Sequence, residues 1–278
     1  MKNVIRYYLR LSLPLFGVPL SNRINPIYVA VLDYPIEIII GDELTCEACH
    51  TIPQVNEIIN ILGEELGEKL GFNIYLSRFN PMIPFISYYS VATLSLSLIL
   101  SELLELDIKD VTESLMGIET ELFNRELIQV IQALRLSTLN NKPLLYRYGE
   151  EAVVIEDARQ CFISTENVDR KEMVSLGNEI FYRIEDIDNE LGDLITKLAG
   201  LTTLKAYNSV HLGNPEDVLI STYCRIENMI WYLEYGLIPP VSDFRECVKW
   251  IPNIGKPTII ALSLDSKRNS GRGIRALC

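Results

Sequence analysis

The chain has 278 residues, 48% of them apolar, which is enough to bury the core of one large domain or two ordinary ones. Its 25 Lys and Arg residues stand against 37 Asp and Glu, and the net charge of -12 argues against nucleic acid as a partner. The six cysteines show no paired framework in their spacing, so we predict reduced thiols and a cytoplasmic location.

The first half of the chain alternates predicted strands and helices. Residues 4–13 and 27–40 are rich in β-branched and aromatic side chains and predict strands, the second with Pro35 at an edge or bulge. Apolar residues at helical spacing predict helices at 52–70, 107–124 and 125–139. Short strands are predicted at 72–76 and 146–156.

An uncharged run at residues 79–101 is long enough to cross a bilayer. Pro81, Pro84 and several serine and threonine residues interrupt it, so we predict a loop at 78–89 and a buried helix at 90–104. The first twenty residues contain charges and prolines without a cleavage site after them, and they predict a strand and a turn. No membrane partner is therefore expected.

The pattern changes near Asp157. Long helices are predicted at 174–198 and 215–235, followed by a β-rich run at 257–264. We therefore predict two domains, residues 1–156 and residues 157–278. Strands that alternate with helices in this way favour an α/β or α+β layered fold.

Three landmarks along the chain resemble those of the GHMP small-molecule kinase superfamily. Residues 23–35 are similar to the strand pair of its β-ribofuranosylaminobenzene 5′-phosphate synthase branch. Residues 84–93, which open with Pro84, stand where the family has a glycine- and serine-rich phosphate loop before a buried helix. Residues 255–262 resemble its C-terminal Gly-Pro-Thr turn. The resemblance implies a two-domain, GHMP-kinase-like α+β fold with a ligand cleft between the domains.

The resemblance also implies a site for ATP and magnesium. The cofactor-binding residues it implies are Ser87, Tyr88, Tyr89, Ser90, Gly255, Lys256 and Thr258. The magnesium residues it implies are Glu119 and Ser90. Side chains at Ser87 and Tyr89, where the family has glycines, hinder the close approach of backbone amides to a triphosphate. The same residues also have an ordinary interpretation. Residues 84–93 would then be a turn before a capped core helix, and Glu119 would be a solvated surface charge.

Three functions stay open at this point. The first is an ATP-dependent small-molecule kinase, in which Lys256, Arg147, Arg78 and Arg23 could supply positive charge. The second is a synthase-like transferase that uses a phosphoribosyl donor. The third is a non-catalytic descendant that binds a ligand or a partner. No aspartate lies between residues 111 and 155 to act as the base that some family members use, so no catalytic residue is assigned. The expected partner is a small-molecule or phosphorylated metabolite, and neither its identity nor the oligomeric state carries a motif.

Overall fold

The computed structural model describes residues 4–20, 23–41, 49–66, 70–165, 189–211, 217–243, 246–264 and 273–278. Within these ranges the chain forms one sheet, in which all described strand pairs are antiparallel, with helices packed on it, which confirms the predicted layered fold class. The strands are β1 (Ile5–Phe16), β2 (Ile27–Gly41), β3 (His50–Thr51), β4 (Asn73–Leu76), β5 (Leu144–Tyr146), β6 (Val153–Val154), β7 (Gln160–Thr165), β8 (Cys247–Ile251), β9 (Thr258–Ser263) and β10 (Ile274–Leu277). The helices are α1 (Pro53–Leu66), α2 (Phe85–Leu104), α3 (Ile108–Leu122), α4 (Arg125–Asn140), α5 (Asn189–His211) and α6 (Asp217–Tyr235).

Strand β2 lies at the centre of the sheet. Its first six residues, 27–32, are an uninterrupted apolar run that is buried throughout. Such a run is typical of a strand covered on both faces. Further along β2, Pro35 lies opposite Arg10 of β1, beside the register shift between Arg10 and Ser12. The predicted position of this proline at a bulge is thereby confirmed.

The sheet continues across the predicted domain boundary. Among the described strands the order is β3-β4-β2-β10-β7-β9-β8, with β1 and β5 also paired to β2. The C-terminal strand β10 therefore lies between β2 of the first half of the chain and β7 of the second. The division at Asp157 stays a prediction. Strands β7, β8 and β10 were not predicted from the sequence, because four to six residues give little periodicity.

Helix α2 is the central helix of the fold. It packs against β1, α3 and α4, and its apolar side chains are buried on nearly every side. The helix is long and apolar enough to cross a membrane, but 78% of its apolar window is buried inside the molecule. The predicted core helix is confirmed. Its start is corrected, because α2 begins at Phe85 and so includes the end of the predicted loop at 78–89.

The helix α5 extends beyond the prediction. It continues to His211, whereas the sequence predicted an end at residue 198. Residues 174–188 of that predicted helix lie outside the described residues. Threonines along α5 donate their hydroxyl hydrogens to backbone carbonyls four residues earlier, as Thr202 does to Leu198 at 2.7 Å, so their polar groups are satisfied within the helix.

The prediction of reduced thiols is wrong. Cys161 of β7 is bonded to Cys278 at the C-terminus, and Cys224 of α6 is bonded to Cys247 of β8. The Cα atoms lie 6.0 and 5.5 Å apart, within the usual range for a disulfide. Cys49 is disulfide-bonded as well. The two assigned pairs are 117 and 23 residues apart in sequence, and only the tertiary fold brings them together.

Candidate functional site

The residues predicted to hold phosphate lie inside the first turns of α2. Ser87, Tyr88, Tyr89 and Ser90 are fully buried. The Ser90 hydroxyl donates to the Ser87 carbonyl at 3.0 Å. Within the described part of the chain, the Ser87 hydroxyl has no hydrogen-bond partner. The segment therefore forms a core helix rather than an open loop, which is the ordinary alternative that the sequence left open.

The two tyrosines of this segment point to different neighbours. The Tyr88 hydroxyl accepts a hydrogen bond from the backbone amide of Asn80 at 2.7 Å. The Tyr89 hydroxyl donates to Oε1 of Glu119 at 2.6 Å. Burial, together with the negative charge of Glu119, raises the pKa of Tyr89. Tyr89 is therefore a neutral hydrogen-bond donor in the core.

An asparagine from the second half of the chain caps the N-terminus of α2. The residue before the helix is Pro84, which makes no side-chain cap. Instead Oδ1 of Asn253 accepts a hydrogen bond from the backbone amide of Ile86 at 2.9 Å. The same oxygen accepts from the amide of Ile254 at 2.9 Å. A carbonyl oxygen thus occupies a position at which the positive end of a helix attracts anions.

The Gly-Pro-Thr turn forms between β8 and β9. Gly255 has a left-handed φ of 85°, which favours glycine, and both Gly255 and Lys256 are exposed. Asn253 lies just before this turn, so its bond to Ile86 joins the turn to the start of α2. A role of Gly255, Lys256 and Thr258 in binding a cofactor stays a prediction.

The carboxylate of Glu119 belongs to a buried ion pair. Glu119 is 0% exposed and Arg135 is 1% exposed. Nη1 of Arg135 donates to Oε2 of Glu119 at 2.9 Å, and Nη2 donates to Oε1. Nε of Arg135 also donates to the hydroxyl of Thr93 at 3.0 Å. This bidentate pair ties together α2, α3 and α4.

These contacts determine how well the site fits ATP and magnesium. Both oxygens of Glu119 are already bonded to cationic or hydroxyl donors, and at the start of α2 the amide of Ile86 donates to Asn253 while that of Ser87 donates to the carbonyl of Pro84. Across the described ranges, no group of three or more His, Cys, Asp and Glu side chains could hold a metal ion. The residues do not fit a triphosphate and its ion unless these contacts break. Their roles as cofactor and metal ligands stay predictions.

The predicted cations are dispersed. Arg78 lies over the ring of Tyr34, 4.3 Å from its centroid. Nη1 of Arg147 donates to Glu150 at 2.7 Å, and Arg23 pairs with Asp193. Of the four predicted cations, Lys256 alone lies in the turn beside the start of α2. The fold therefore does not gather these four charges around one phosphate site.

A cleft of about 610 Å³ lies beside the capped start of α2. It is formed by the α3–α4 junction on one side, and by α6 and the β8–β9 turn on the other. The lining residues include Phe123, Asn124, Arg125, Trp231, Tyr235, Asn253 and Gly255. Residues from both sides of Asp157 thus meet here, as the predicted cleft between domains requires.

The sequence did not point to the aromatic wall of this cleft. Trp231 and Tyr235 lie one helical turn apart on α6, with ring centroids 5.0 Å apart. The Tyr235 hydroxyl donates to the carbonyl of Pro19. At helical spacing, such residues look like an ordinary core stripe. Asn253 could have been suspected, since asparagine is a preferred helix-capping residue, but the amide it caps lies 167 residues away in the chain.

Comparison with known proteins identifies the fold. No protein-family model and no curated protein matches the chain. Its structure is similar to Streptococcus pneumoniae phosphomevalonate kinase in complex with phosphomevalonate and AMPPNP, with a TM-score of 0.59 and 11% identity over 95% of this chain and 93% of that chain. A second structure of that S. pneumoniae enzyme gives a TM-score of 0.52 and 10% identity over 95% and 92%.

A third similar structure is L. major mevalonate kinase in complex with R-mevalonate, with a TM-score of 0.55 and 12% identity over 94% of this chain and 88% of that chain. All three similarities span almost the whole of both chains. The protein therefore has the fold of the GHMP small-molecule kinases. Because these three structures are all kinases, the likeness to the synthase branch rests on the sequence resemblance alone.

Proposed function

We propose that the protein binds a small phosphorylated or carboxylated molecule in the cleft beside α2 and does not transfer phosphate. The observation that carries this proposal is the Asn253 cap. A kinase of this fold would need the amides at the start of that helix for its nucleotide. Here Oδ1 of Asn253 accepts from one of them, the amide of Ile86. The ion pair between Glu119 and Arg135 supports the same conclusion, because it occupies the carboxylate that would bind magnesium.

The lining of the cleft indicates the chemistry of the ligand. The half-buried rings of Phe123 and Tyr235 offer flat apolar surface, which suits a planar or hydrocarbon body, and Trp231 lies buried behind Tyr235. Arg125, in the first turn of α4, supplies a cation at the positive end of that helix. An anionic group beside Arg125 and an apolar body against Phe123 and Tyr235 would use both features.

A second candidate function is ATP-dependent phosphorylation of a small molecule. The observation that favours it is the AMPPNP and phosphomevalonate in the similar S. pneumoniae structure. In this candidate Ser87, Tyr88, Tyr89 and Ser90 would contact ATP, with magnesium at Glu119 and Ser90. The first turn of α2 would then have to open and release Asn253.

Tryptophan fluorescence and thermal unfolding together test the proposal. The chain has two tryptophans, and only Trp231 lines the cleft, so a Trp250→Phe variant makes Trp231 the sole reporter. The probes are phosphomevalonate, mevalonate, phosphoribosyl pyrophosphate, and ATP with and without magnesium. We expect a phosphorylated probe without a nucleotide to quench Trp231 and to stabilise the fold, by about 2.7 kcal/mol at a hundredfold excess over its dissociation constant.

The Arg125→Gln variant provides the matched test of ligand contact. It should weaken that binding by roughly tenfold or more, because a charge-assisted hydrogen bond is lost, without changing the unfolding midpoint. Lys109→Gln, on the exposed first turn of α3, is the control and should bind normally. If magnesium ATP alone stabilises the protein and its γ-phosphate appears on mevalonate or phosphomevalonate, the kinase candidate replaces this proposal.

Replacing the cap residue should destabilise the protein measurably. Asn253→Ala removes the acceptor for the Ile86 amide, and we expect it to lower the free energy of unfolding by about 0.5–2 kcal/mol. Asn124→Ala is the matched control, because Asn124 precedes α4 but its side chain makes no capping bond. Urea denaturation measures both variants. Equal losses would mean that the Asn253 bond does not act as a cap.

The cytoplasmic location carries over as a proposal with one condition. Disulfides such as Cys161–Cys278 persist in oxidising compartments and in the intracellular proteins of hyperthermophiles. A cytoplasmic location therefore requires either a hyperthermophilic source or bonds that form only transiently.

A further inference from the structure

A second groove, of about 510 Å³, lies beside α5. Its walls come from residues 24–26 before β2, from the hairpin of β5 and β6, and from one side of α5. Within the described residues, its lining has no residue in common with that of the cleft beside α2. The groove is therefore a separate candidate site.

The groove contains a buried hydrogen-bond acceptor that the protein does not use. Asn25, which lines it, is only 3% exposed. Its Nδ2 donates to the carbonyl of Val18 at 3.0 Å, which fixes the orientation of the amide. Across the described part of the chain, Oδ1 of Asn25 has no hydrogen-bond partner. Buried polar atoms without a partner are rare and costly, and a bound molecule that donates to this oxygen would remove the cost.

Gly200 of α5 faces this oxygen. A Cβ atom at residue 200 would lie 3.5 Å from Oδ1 of Asn25 and 3.6 Å from Cδ of Pro26. These are ordinary contact distances, so packing within the chain leaves room for an alanine. Glycine in the interior of a helix is less stable than alanine. The chain thus keeps the less stable residue at a place where a methyl group would lie against Oδ1.

The rest of the lining indicates the body and the charge of a ligand. The apolar walls are formed by Ile24, Pro26, Leu145, Val153, Leu201 and Leu204. The charged residues of the lining are two of each sign, namely Arg147, Lys197, Glu150 and Glu151. Arg147 is also paired with Glu150. The groove therefore has no excess charge with which to attract an ion.

We propose that this groove binds a neutral small molecule with an O–H or N–H group at one end and a hydrocarbon body. Oδ1 of Asn25 is closed to solvent, so a small shift of the amide toward Gly200 brings it to the donor. The body packs against Leu201 and Leu204. Alcohols, phenols and primary amides have this chemistry, and the volume is within the range of small-molecule sites. The anionic ligand proposed for the cleft beside α2 is a different molecule, and the two proposals are independent.

Calorimetric titration with 2-naphthol and naphthalene tests the hydrogen bond. The two probes share one ring system, and only 2-naphthol has a hydroxyl group. We expect 2-naphthol to bind at least roughly tenfold more tightly, because a site with a buried acceptor rejects an analogue that leaves this acceptor unpaired. Equal affinities, or no binding of 2-naphthol, would overturn the proposal.

The Gly200→Ala variant tests where the probe binds. The new methyl group fits by ordinary contacts and favours the helix, so the unfolding midpoint should not fall. The affinity for 2-naphthol should nevertheless drop by at least roughly tenfold, because the methyl group keeps Oδ1 covered.

Gly117→Ala is the matched control. Residue 117 lies on α3, outside the groove, and a Cβ atom there meets nothing within 4 Å, so this variant should bind 2-naphthol as the wild type does. Loss of binding in Arg125→Gln but not in Gly200→Ala would place the probe in the cleft beside α2 and would contradict the proposal.

Discussion

Replacing Glu119 with glutamine should lower the free energy of unfolding by about 3–5 kcal/mol. The substitution keeps the shape of the side chain but leaves the guanidinium of Arg135 buried without its counter-charge, and an uncompensated buried charge is strongly destabilising. It also exchanges a carboxylate that accepts from Tyr89 for a neutral amide. Urea denaturation followed by circular dichroism measures the loss.

The control for Glu119 is a second glutamate on the same helix. Glu121 is exposed, so Glu121→Gln should change the stability by no more than about 0.5 kcal/mol. The double variant Glu119→Leu/Arg135→Met should recover most of the loss, because replacing both members of a buried pair by apolar residues is often neutral or better.

The same experiment separates the structural role of Glu119 from the magnesium role. A magnesium ligand on a helix surface could be changed to glutamine with little loss of stability, while magnesium-dependent nucleotide binding would disappear. A stability loss under about 1 kcal/mol, together with lost nucleotide binding, would therefore favour the kinase candidate.

Much of the scaffold was predictable because it follows from local pattern. The apolar run of β2, the bulge at Pro35, and helices α3 and α4 were all evident in the periodicity of the sequence. The order of three weak landmarks was sufficient to predict the layered fold of the GHMP kinases, which the structural similarities support. The periodicity of a helix or strand and the order of landmarks along the chain can both be observed directly in a sequence.

The candidate site was less predictable because its contacts join distant residues. Asn253 caps a helix that begins 168 residues earlier in the chain, at Phe85. Arg135 follows two other charged residues on α4, the exposed Arg125 and the half-buried Glu126, and no local signal marks it as buried. The loop at 78–89 was inferred from prolines and hydroxyl groups, but residues 85–89 belong to α2. Hydroxyl groups do not exclude a buried helix, because those of Ser90 and Thr93 donate to backbone carbonyls of the helix itself.

A second buried ion pair also depends on contacts between residues that are distant in the sequence. Lys249 of β8 contacts the carboxylate of Glu227 on α6, and its ammonium group also donates to the carbonyl of Leu15 at 2.6 Å. Glu227 accepts from the backbone amide of Gly17 at 2.6 Å. Burial lowers the pKa of Lys249, which contact with Glu227 opposes. These four residues fix the end of β1 to the second half of the fold, beside Pro19 of the cleft.

Removing the disulfide between Cys161 and Cys278 should also destabilise the protein strongly. The bond ties the C-terminal end of β10 to β7 and closes a span of 117 residues. A closed loop of that length restricts the unfolded chain by about 4.7 kcal/mol in the chain-entropy model, and losses of about 2–5 kcal/mol are typical when native disulfides are removed. Cys161→Ala/Cys278→Ala should therefore lower the free energy of unfolding by about 2–5 kcal/mol in urea denaturation.

The other disulfide supplies the matched comparison. Cys224–Cys247 is similarly buried but spans 23 residues, and the logarithmic dependence on loop length makes its expected contribution about 1.4 kcal/mol smaller. Adding a thiol reductant to the wild-type protein should cost at least the summed losses of the two double-alanine variants, because it also reduces the disulfide of Cys49. If Cys224→Ala/Cys247→Ala costs as much as the longer bridge, packing around the sulfur atoms in the folded state, rather than restriction of the unfolded chain, determines the stabilisation.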